Sequence, residues 1–341
     1  MHRQINCTYR FKKQLIIETF FAYRLPNEKQ INFVKGKTLV LKKIEEAGDN
    51  GFVFHSFSGD KIFCIQQTEI ISENEFFSFQ LNEEDEIVWT KEEYLQAFNK
   101  VKQELNSESI QKMILSRIKA VQSQKNALDI FREINKKYAT SFNYILSNSE
   151  IGTWLGASPE LLLSSDSNHL KTVSVAGTKL NDGFSEWTEK EKKEQRYVTD
   201  FILESFKKNN CTSIQSTEPF TYNAGPVQHL RSDISGLCDA YNQVWPLLSD
   251  LHPTPATCGI PKDIAKEKIL QIESHKRKLY TGFIGILNGD KKTFFVNLRC
   301  MELQKNRALL YLGGGITIDS VGESEWEETE RKALTLLSVL S

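Results

Sequence analysis

The sequence has little of what marks membrane, secreted or thiolate-metal proteins. Its 341 residues include 6 cysteines, and no two of them form a CxxC pair, which excludes a common zinc or redox motif. No run reaches the roughly 18 apolar residues that a membrane span needs. The apolar segment that begins at Gln14 lacks the cleavage site of a signal peptide. We therefore expect a cytoplasmic protein with reduced thiols and no membrane contact.

The sequence also lacks a large excess of charge of one sign and flexible linkers between domains. The formal net charge is −1, so nothing global attracts nucleic acid. The 8 prolines and 18 glycines are scattered, and no repeat, low-complexity tract or Gly/Ser linker interrupts the chain. This composition predicts one intertwined domain in which residues 1–88 form a strand-rich part and residues 89–341 form the catalytic region.

The order of elements predicts an α+β fold. Residues 1–88 contain several short runs of Ile, Phe and Val that partly alternate with polar residues, which is typical of strands. A helix is predicted to begin at Thr90, because Thr90 and Glu93 have the spacing of a capping box and an apolar stripe follows. Strand-like and helix-like segments then alternate irregularly to the C-terminus.

The segment from Tyr311 to Lys332 contains the most suggestive pattern. A strand-like run ends in Gly313, Gly314 and Gly315, whose backbone can approach an anion closely. A helix then carries Glu325, Glu328 and Lys332 on one face, at spacings of three and four residues. Two carboxylates and an ammonium suit a divalent metal with an acidic ligand. Taken alone, the segment fits a strand, a turn and a solvated charged helix better, because such helices are common.

Other candidate residues are individually ambiguous. Lys112 lies on a predicted strand over residues 111–120, where a lysine is usually an edge residue. Glu160 opens an apolar strand after a Ser-Pro turn and is either an edge charge or a buried acid with a raised pKa. Arg299, inside an apolar segment, needs an anionic partner. Taken alone, Glu194 is expected to be a solvated residue of a charged helix. His229 is expected to lie on the polar face of a sheet.

The ordered set of short motifs is far more specific than any one of them. ILSR, ASPELLL, VAGTK, LHPTPATCG, GFIG, LRC, LGGGI and EWEETERK follow one another over residues 111–332, about two-thirds of the chain. Together they resemble the chorismate-utilising enzymes, which include anthranilate, aminodeoxychorismate, salicylate and isochorismate synthases. The resemblance implies one large α/β/α layered domain with two packed, mostly antiparallel sheets.

The resemblance is strongest to the isochorismate synthases, with an isomerase (hydroxymutase) activity that converts chorismate to isochorismate. Lys112 occupies the position at which isochorismate and salicylate synthases carry their water-activating lysine. Ala176 stands where some aminodeoxychorismate synthases carry a nucleophilic lysine, so that covalent chemistry is not expected. LHPTPA is also the form typical of isochorismate synthases. Because the chain contains no carrier or partner domain, we expect a role in menaquinone synthesis, although a siderophore pathway stays open.

Site roles follow from the same resemblance. Lys112 would be the base, Glu160 the acid and His229 a support beside the leaving hydroxyl. Mg²⁺ would be held by Glu194, Glu325 and Glu328. The substrate contacts would come from Gly177, Thr178, Thr257, Arg299, Gly313, Gly314, Gly315 and Lys332.

Three alternatives remain at this point. Salicylate synthases perform the same first step and then eliminate pyruvate. Anthranilate and aminodeoxychorismate synthesis would require ammonia, which Lys112 and Ala176 disfavour. A non-catalytic chorismate-binding protein would not need Lys112, Glu160 and all three carboxylates. We expect a monomer without an obligatory glutaminase subunit or nucleic-acid partner.

Overall fold

The computed structural model describes residues 17–341 except 77–78, 108, 181–185, 225–226 and 239–243. These residues form seventeen strands and six α-helices. The first nine strands are β1 (Ile17–Arg24), β2 (Asn32–Leu41), β3 (Asn50–His55), β4 (Ile62–Ile70), β5 (Lys112–Gln122), β6 (Phe142–Asn148), β7 (Gly152–Ser158), β8 (Leu161–Asp166) and β9 (His169–Leu180). The other eight are β10 (Thr212–Ser216), β11 (Phe220–Ala224), β12 (Val227–Leu237), β13 (Gly259–Ile260), β14 (Phe283–Asn288), β15 (Lys291–Val296), β16 (Cys300–Leu303) and β17 (Arg307–Ile316).

The helices are spread along the chain between the strands. They are α1 (Lys91–Leu105), α2 (Ala127–Lys137), α3 (Glu189–Lys208), α4 (Val244–Leu251), α5 (Lys262–Ile272) and α6 (Gly322–Leu340). The predicted start of α1 is confirmed: the Thr90 side chain accepts a hydrogen bond from the Glu93 amide, and the Glu93 side chain returns one to Thr90. No helix among the described residues is long and apolar enough to cross a membrane.

The predicted α+β class with mostly antiparallel strands is confirmed, but the strands do not form two separate sheets. Ladder hydrogen bonds connect all seventeen described strands into one network. The connection exists because several strands pair on both edges. For example, β1 pairs with β2 on one side and with β6 on the other. The strands of the first 88 residues thus share ladders with the later ones, including β3 with β14.

Helices cover β5 and β17, which are the two strands that matter most for the site. Tyr94 and Val101 of α1 and Ile269 of α5 belong to the same buried cluster as Met113 and Leu115 of β5. On the other side, the apolar residues of α6 pack with β17 and α2. The carboxyl end of β17 and the amino end of β5 therefore lie next to the start of α6.

The apolar segment that contains Arg299 is not one continuous strand, because β15 ends at Val296 and β16 begins at Cys300. Arg299 lies in this break with a φ of 48°, in the left-handed region that non-glycine residues seldom adopt.

The expectation of six reduced thiols is wrong for two of them. Cys211 and Cys238 form a disulfide with a Cα–Cα distance of 4.6 Å. Pairing of β10 with β12 brings the chain after α3 beside the end of β12, which the 27-residue sequence separation did not suggest. Cys64, Cys258 and Cys300 are free and buried.

Candidate active site

Lys112 begins β5 and lies beside the glycine-rich end of β17. The two strands are antiparallel, with Ile114 opposite Gly315 and Ser116 opposite Gly313. A Cβ atom on Gly315 would lie 2.7 Å from Cε of Lys112 and 3.3 Å from its Nζ. Only glycine leaves enough room at this position for the lysine side chain. The glycines thus leave room for the lysine side chain and also let a ligand approach the backbone closely.

Carboxylates surround the Lys112 ammonium. Its Nζ forms an ion pair with Glu194 of α3, and the Lys112 side chain is only 9% exposed. The positive charge of Lys112 also acts to lower the pKa of Glu160, against the effect of burial, and contributes to the lowered pKa of Glu328. Three carboxylates from three separate parts of the chain therefore interact with one buried cation.

Glu160 directly precedes β8 and is only partly exposed. Loss of solvation raises the pKa of its carboxyl group to about 7, and Lys112 opposes this rise only weakly. Within the described residues no hydrogen-bond donor contacts the carboxylate. Such a donor would stabilise the ionised form. A carboxyl group with this pKa is partly protonated at neutral pH and can donate a proton.

The start of α6 places Glu328 and one further carboxylate, that of Glu325, next to the glycines. A Cβ on Gly314 would lie 3.3 Å from Oε2 of Glu325 and 3.7 Å from Oε1 of Glu328. Lys332 Nζ lies 2.6 Å from Oε1 of Glu328 and donates to the carbonyl of Gly313 at 2.8 Å. Burial by itself would raise the pKa of Glu328. The positive charges of Lys332 and other cations outweigh burial, so the pKa is lowered overall. Glu328 is thus ionised.

These carboxylates fit a magnesium ion in part. Within the described residues no three acidic, histidine or cysteine side chains lie close enough together to hold a metal ion, since Glu194 is directed to Lys112. Glu325 and Glu328, however, both face the open backbone at Gly314. One or two protein carboxylates, completed by water and ligand oxygens, are the usual protein environment of Mg²⁺. The pair on α6 therefore suits this ion.

Arg299 and Lys332 supply positive charge on the same side. Arg299 Nη1 donates to the backbone carbonyl of Lys332 at 3.2 Å, which orients the guanidinium against α6. Burial lowers the pKa of Arg299, but an arginine remains charged at any physiological pH. The two cations are suited to bind a ligand that carries carboxylates.

His229 lies at the neighbouring sheet edge, where β9 and β12 pair. Its Nδ1 lies 3.1 Å from the carbonyl of Gly177, and its backbone pairs with Thr178. Burial lowers the pKa of His229, and the positive charges of Arg299 and Lys332 lower it further, so the ring is neutral at pH 7. Gly177 has a φ of +72°, and a Cβ there would lie 3.2 Å from Glu191 of α3. The Thr178 side chain lies outside the described residues.

The Thr257 side chain is directed into its own loop. Its hydroxyl donates to the carbonyl of Thr254 within the same loop at 3.2 Å, and the residue is 3% exposed. Its backbone carbonyl accepts a hydrogen bond from Arg277 at 2.9 Å. The loop is therefore tied to β5 by its backbone rather than through the threonine hydroxyl.

Sequence reasoning missed the buried pair Glu273 and Arg277, which lies directly behind β5. The signal was present, because an acid and a base four residues apart were followed by the apolar segment LYTGFIGIL. Tyr280 was also missed. Its hydroxyl lies 2.9 Å from the place where a Cβ on Gly313 would sit, so it closes the far side of the glycine strand.

Comparisons with known proteins identify the family of this chain. A family model described as chorismate binding enzyme matches residues 58–338. The isochorismate synthase EntC of Escherichia coli (strain K12) is 27% identical over 244 residues, which are 67% of this chain and 62% of that protein. DhbC of Bacillus subtilis (strain 168), also an isochorismate synthase, is 33% identical over 202 residues, covering 55% of this chain and 50% of that protein. The matched segments thus span only about half to two-thirds of these relatives.

Solved structures show the same fold. The menaquinone-specific isochorismate synthase MenF from Escherichia coli superposes with a TM-score of 0.81 at 21% identity, covering 98% of this chain and 92% of that one. An anthranilate synthase component I from Streptococcus pneumoniae gives a TM-score of 0.68 at 18% identity, with coverages of 98% and 95%. One fold thus carries members named for different products.

Proposed function

Because the chain belongs to the chorismate-binding enzyme family, whose model matches residues 58–338, we propose that it is an isochorismate synthase. Similarity to EntC and DhbC, both named as isochorismate synthases, supports this choice within the family. The observation that carries the proposal is the convergence of Lys112 with Glu160, an acid whose pKa is raised to about 7. Addition of water with loss of a hydroxyl needs a base and an acid of this kind.

The reaction adds water at C2 of the chorismate ring, shifts the double bonds and releases the C4 hydroxyl. Lys112, in its neutral form, removes a proton from the attacking water. Glu160 protonates the departing hydroxyl, so that water rather than hydroxide leaves. The elements of water gained at C2 balance those lost at C4, and the product is an isomer of the substrate. Because Glu160 must carry its proton beforehand, its raised pKa suits this role.

The remaining site residues bind and orient the substrate. Arg299 and Lys332 pair with substrate carboxylates. Backbone N–H groups of Gly177, Thr178 and the glycines 313–315 contribute donors, and neutral His229 lies beside the ring. Thr257 contributes through its loop.

Mg²⁺ is the proposed cofactor. Glu325 and Glu328 would hold it, joined by Glu194 when that carboxylate leaves Lys112. The ion would neutralise a substrate carboxylate and help to orient it.

The decisive experiment incubates the purified protein with chorismate and Mg²⁺, without any ammonia source, and separates the products by chromatography. We expect an equilibrating mixture of chorismate and isochorismate that disappears after EDTA treatment and returns with added Mg²⁺. Salicylate together with pyruvate would instead identify a salicylate synthase. Turnover only after addition of ammonia or a glutaminase would contradict the proposal.

The product is proposed to enter menaquinone synthesis. Relatives matched by this chain include both menaquinone-specific MenF enzymes and a vibriobactin-specific isochorismate synthase, so the similarity alone supports either pathway. Deletion of the gene should abolish menaquinone and leave catechol siderophore production intact. The reverse phenotype would assign the enzyme to the siderophore pathway. Size-exclusion chromatography with light scattering would check the expected monomer.

A further inference from the structure

A buried ion pair lies on the edge of β5 that faces the loop of residues 252–258. Glu273 and Arg277 are 9% and 3% exposed. Arg277 Nε lies 2.8 Å from Oε2 of Glu273, and Nη2 lies 2.7 Å from Oε1. The guanidinium also stacks on Phe57, 4.2 Å from the ring centroid. Both charges are therefore fixed in one orientation.

The pair begins where the regular ladder of β5 ends. Strand β13 is only two residues long and pairs with Lys112 and Met113. The last backbone hydrogen bond of this ladder runs from the Ile114 amide to the carbonyl of Cys258, at 2.7 Å. Beyond it, the carbonyl of Ile114 and the amide of Ser116 point to the same edge of β5 with no strand beside them. A buried backbone group without a partner would be costly.

The ion pair satisfies both of these backbone groups. Arg277 Nη2 donates to the carbonyl of Ile114 at 2.8 Å, and Oε1 of Glu273 accepts from the amide of Ser116 at 2.7 Å. Arg277 Nη1 reaches across to the carbonyl of Thr257 at 2.9 Å. The two side chains thus continue the ladder as a substitute for a strand and bridge β5 to the loop.

The opposite edge of the same three residues faces the glycines of β17. Ile114, Leu115 and Ser116 pair with Gly315, Gly314 and Gly313. Lys112 lies two residues before Ile114 on this strand. The ion pair therefore fixes the position of β5 between the glycine strand and the 252–258 loop.

We propose that Glu273 and Arg277 are positioning residues that hold Lys112 at the correct distance from the loop and from the glycine strand. This inference rests on the proposed function in assigning the purpose of the arrangement. The guanidinium is essential to it, because a planar group with several donors can bridge two carbonyls and a carboxylate at once. A lysine ammonium at this position has the charge but lacks that geometry.

The test uses Arg277→Lys in the full-length protein, and Lys292→Met serves as the matched control. Lys292 is also a buried cation, 2% exposed in its side chain, but it lies near the start of β15 and donates to the carbonyl of Gly289. We expect Arg277→Lys to lower kcat about tenfold with KM changed less than about threefold, since small misplacements of catalytic groups are costly. The control should keep kcat even where its melting temperature falls.

Amide hydrogen exchange gives a second readout that does not depend on turnover. Arg277→Lys should accelerate exchange in residues 112–118 and 254–260, whereas Lys292→Met should leave these two segments unchanged. Unchanged exchange there in Arg277→Lys would overturn the inference, and so would a parental kcat. A parent protein that fails to convert chorismate would count against the proposed function, while the exchange result would still decide the positioning role.

The double variant Glu273→Leu with Arg277→Met removes both charges together. Replacing a whole buried ion pair by apolar side chains often preserves stability, unlike loss of one partner. We expect this variant to remain folded, to show the same faster exchange and to lose at least as much kcat as Arg277→Lys. A folded double variant with parental kcat would overturn the inference.

Discussion

Glu160, which directly precedes β8, and Glu273, which lies at the edge of β5, both lose solvation, yet the pKa values of their carboxyl groups shift in opposite directions. At Glu160 the loss of solvation dominates and raises the pKa to about 7. At Glu273 burial acts in the same direction, but Arg277 and the amide of Ser116 outweigh it and lower the pKa. Burial alone therefore does not separate an acid that donates protons from one that holds structure.

The difference lies in the donors around each carboxylate. Glu273 accepts hydrogen bonds from a guanidinium and a backbone amide, all at 2.7 to 2.8 Å. Among the described residues Glu160 has no such donor and receives only the distant influence of Lys112. A proton donor needs this lack of donors, because hydrogen bonds to the ionised form would hold the group deprotonated. Substitutions of the two glutamates test this contrast.

The largest expected effect comes from Glu160→Gln. The amide has the same size but cannot donate a proton to the leaving hydroxyl, so kcat should fall by about 10² to 10⁴-fold. Steady-state kinetics with chorismate would measure it. Glu302→Gln is the matched control, because burial also raises the pKa of Glu302, which lies with Lys278 away from the site. Equal losses of kcat in both variants would contradict the role of Glu160.

Glu273→Gln should affect stability first. The substitution leaves Arg277 buried without its full counter-charge, so the free energy of unfolding should fall by about 2 to 4 kcal/mol. Urea unfolding followed by circular dichroism would measure this change. The loss of kcat should be far smaller than in Glu160→Gln. An unchanged midpoint of unfolding would show that the pair contributes no net stability.

The pH dependence of stability should have opposite sign for the two groups. The raised pKa of Glu160 stabilises the fold below pH 4.5 and ceases to do so as the pH rises to about 7. The lowered pKa of Glu273 stabilises the fold above its unfolded value and is lost as the pH falls through the folded value.

Glu160→Gln should therefore flatten the decline in stability between pH 4.5 and 7, by about 1 to 2 kcal/mol after allowance for partial exposure. Glu273→Gln should instead flatten the loss of stability in acid. Melting temperatures of the parent and both variants across this range would measure the slopes. Parallel curves for the parent and Glu160→Gln would contradict the raised pKa.

The smallest effect is expected from Gly315→Ala. The added Cβ would lie 2.7 Å from Cε of Lys112, so the flexible end of the lysine must shift while the strand stays in place. We expect kcat to fall about tenfold with little change in unfolding free energy. Gly289→Ala, at a turn where a Cβ would meet nothing within 4 Å, is a steric control with a positive φ. A parental kcat in Gly315→Ala would mean that the position of Lys112 tolerates displacement.

Much of the fold was readable from local patterns. The capping box at Thr90 and the helix that carries Glu325 and Glu328 depend on neighbours in sequence, and the structure has both. The prediction that Lys112 and Glu194 belong to the same site required the family resemblance, because 82 residues separate them and no local pattern links the two. Nothing tests the assigned roles of these residues, which stay predictions.

What the sequence could not provide was long-range pairing. The pairing of Glu273 and Arg277 follows a helical spacing, but their contacts to β5 lie about 160 residues away. The break at Arg299 and the disulfide between Cys211 and Cys238 likewise depend on how strands meet. The spacing of hydrophobic residues and the composition describe one segment at a time, so they do not reveal which segments face each other.

The most direct measurement is a pH titration of the glutamate side chains by carbon-13 NMR, with the δ-carboxyl carbons labelled. Spectra of Glu160→Gln and Glu273→Gln would identify the two resonances by their disappearance. The account predicts that the Glu160 resonance titrates near pH 7 and that the Glu273 resonance remains that of a carboxylate below pH 4.5. A Glu160 resonance that titrates at or below pH 4.5 would contradict its role as the acid.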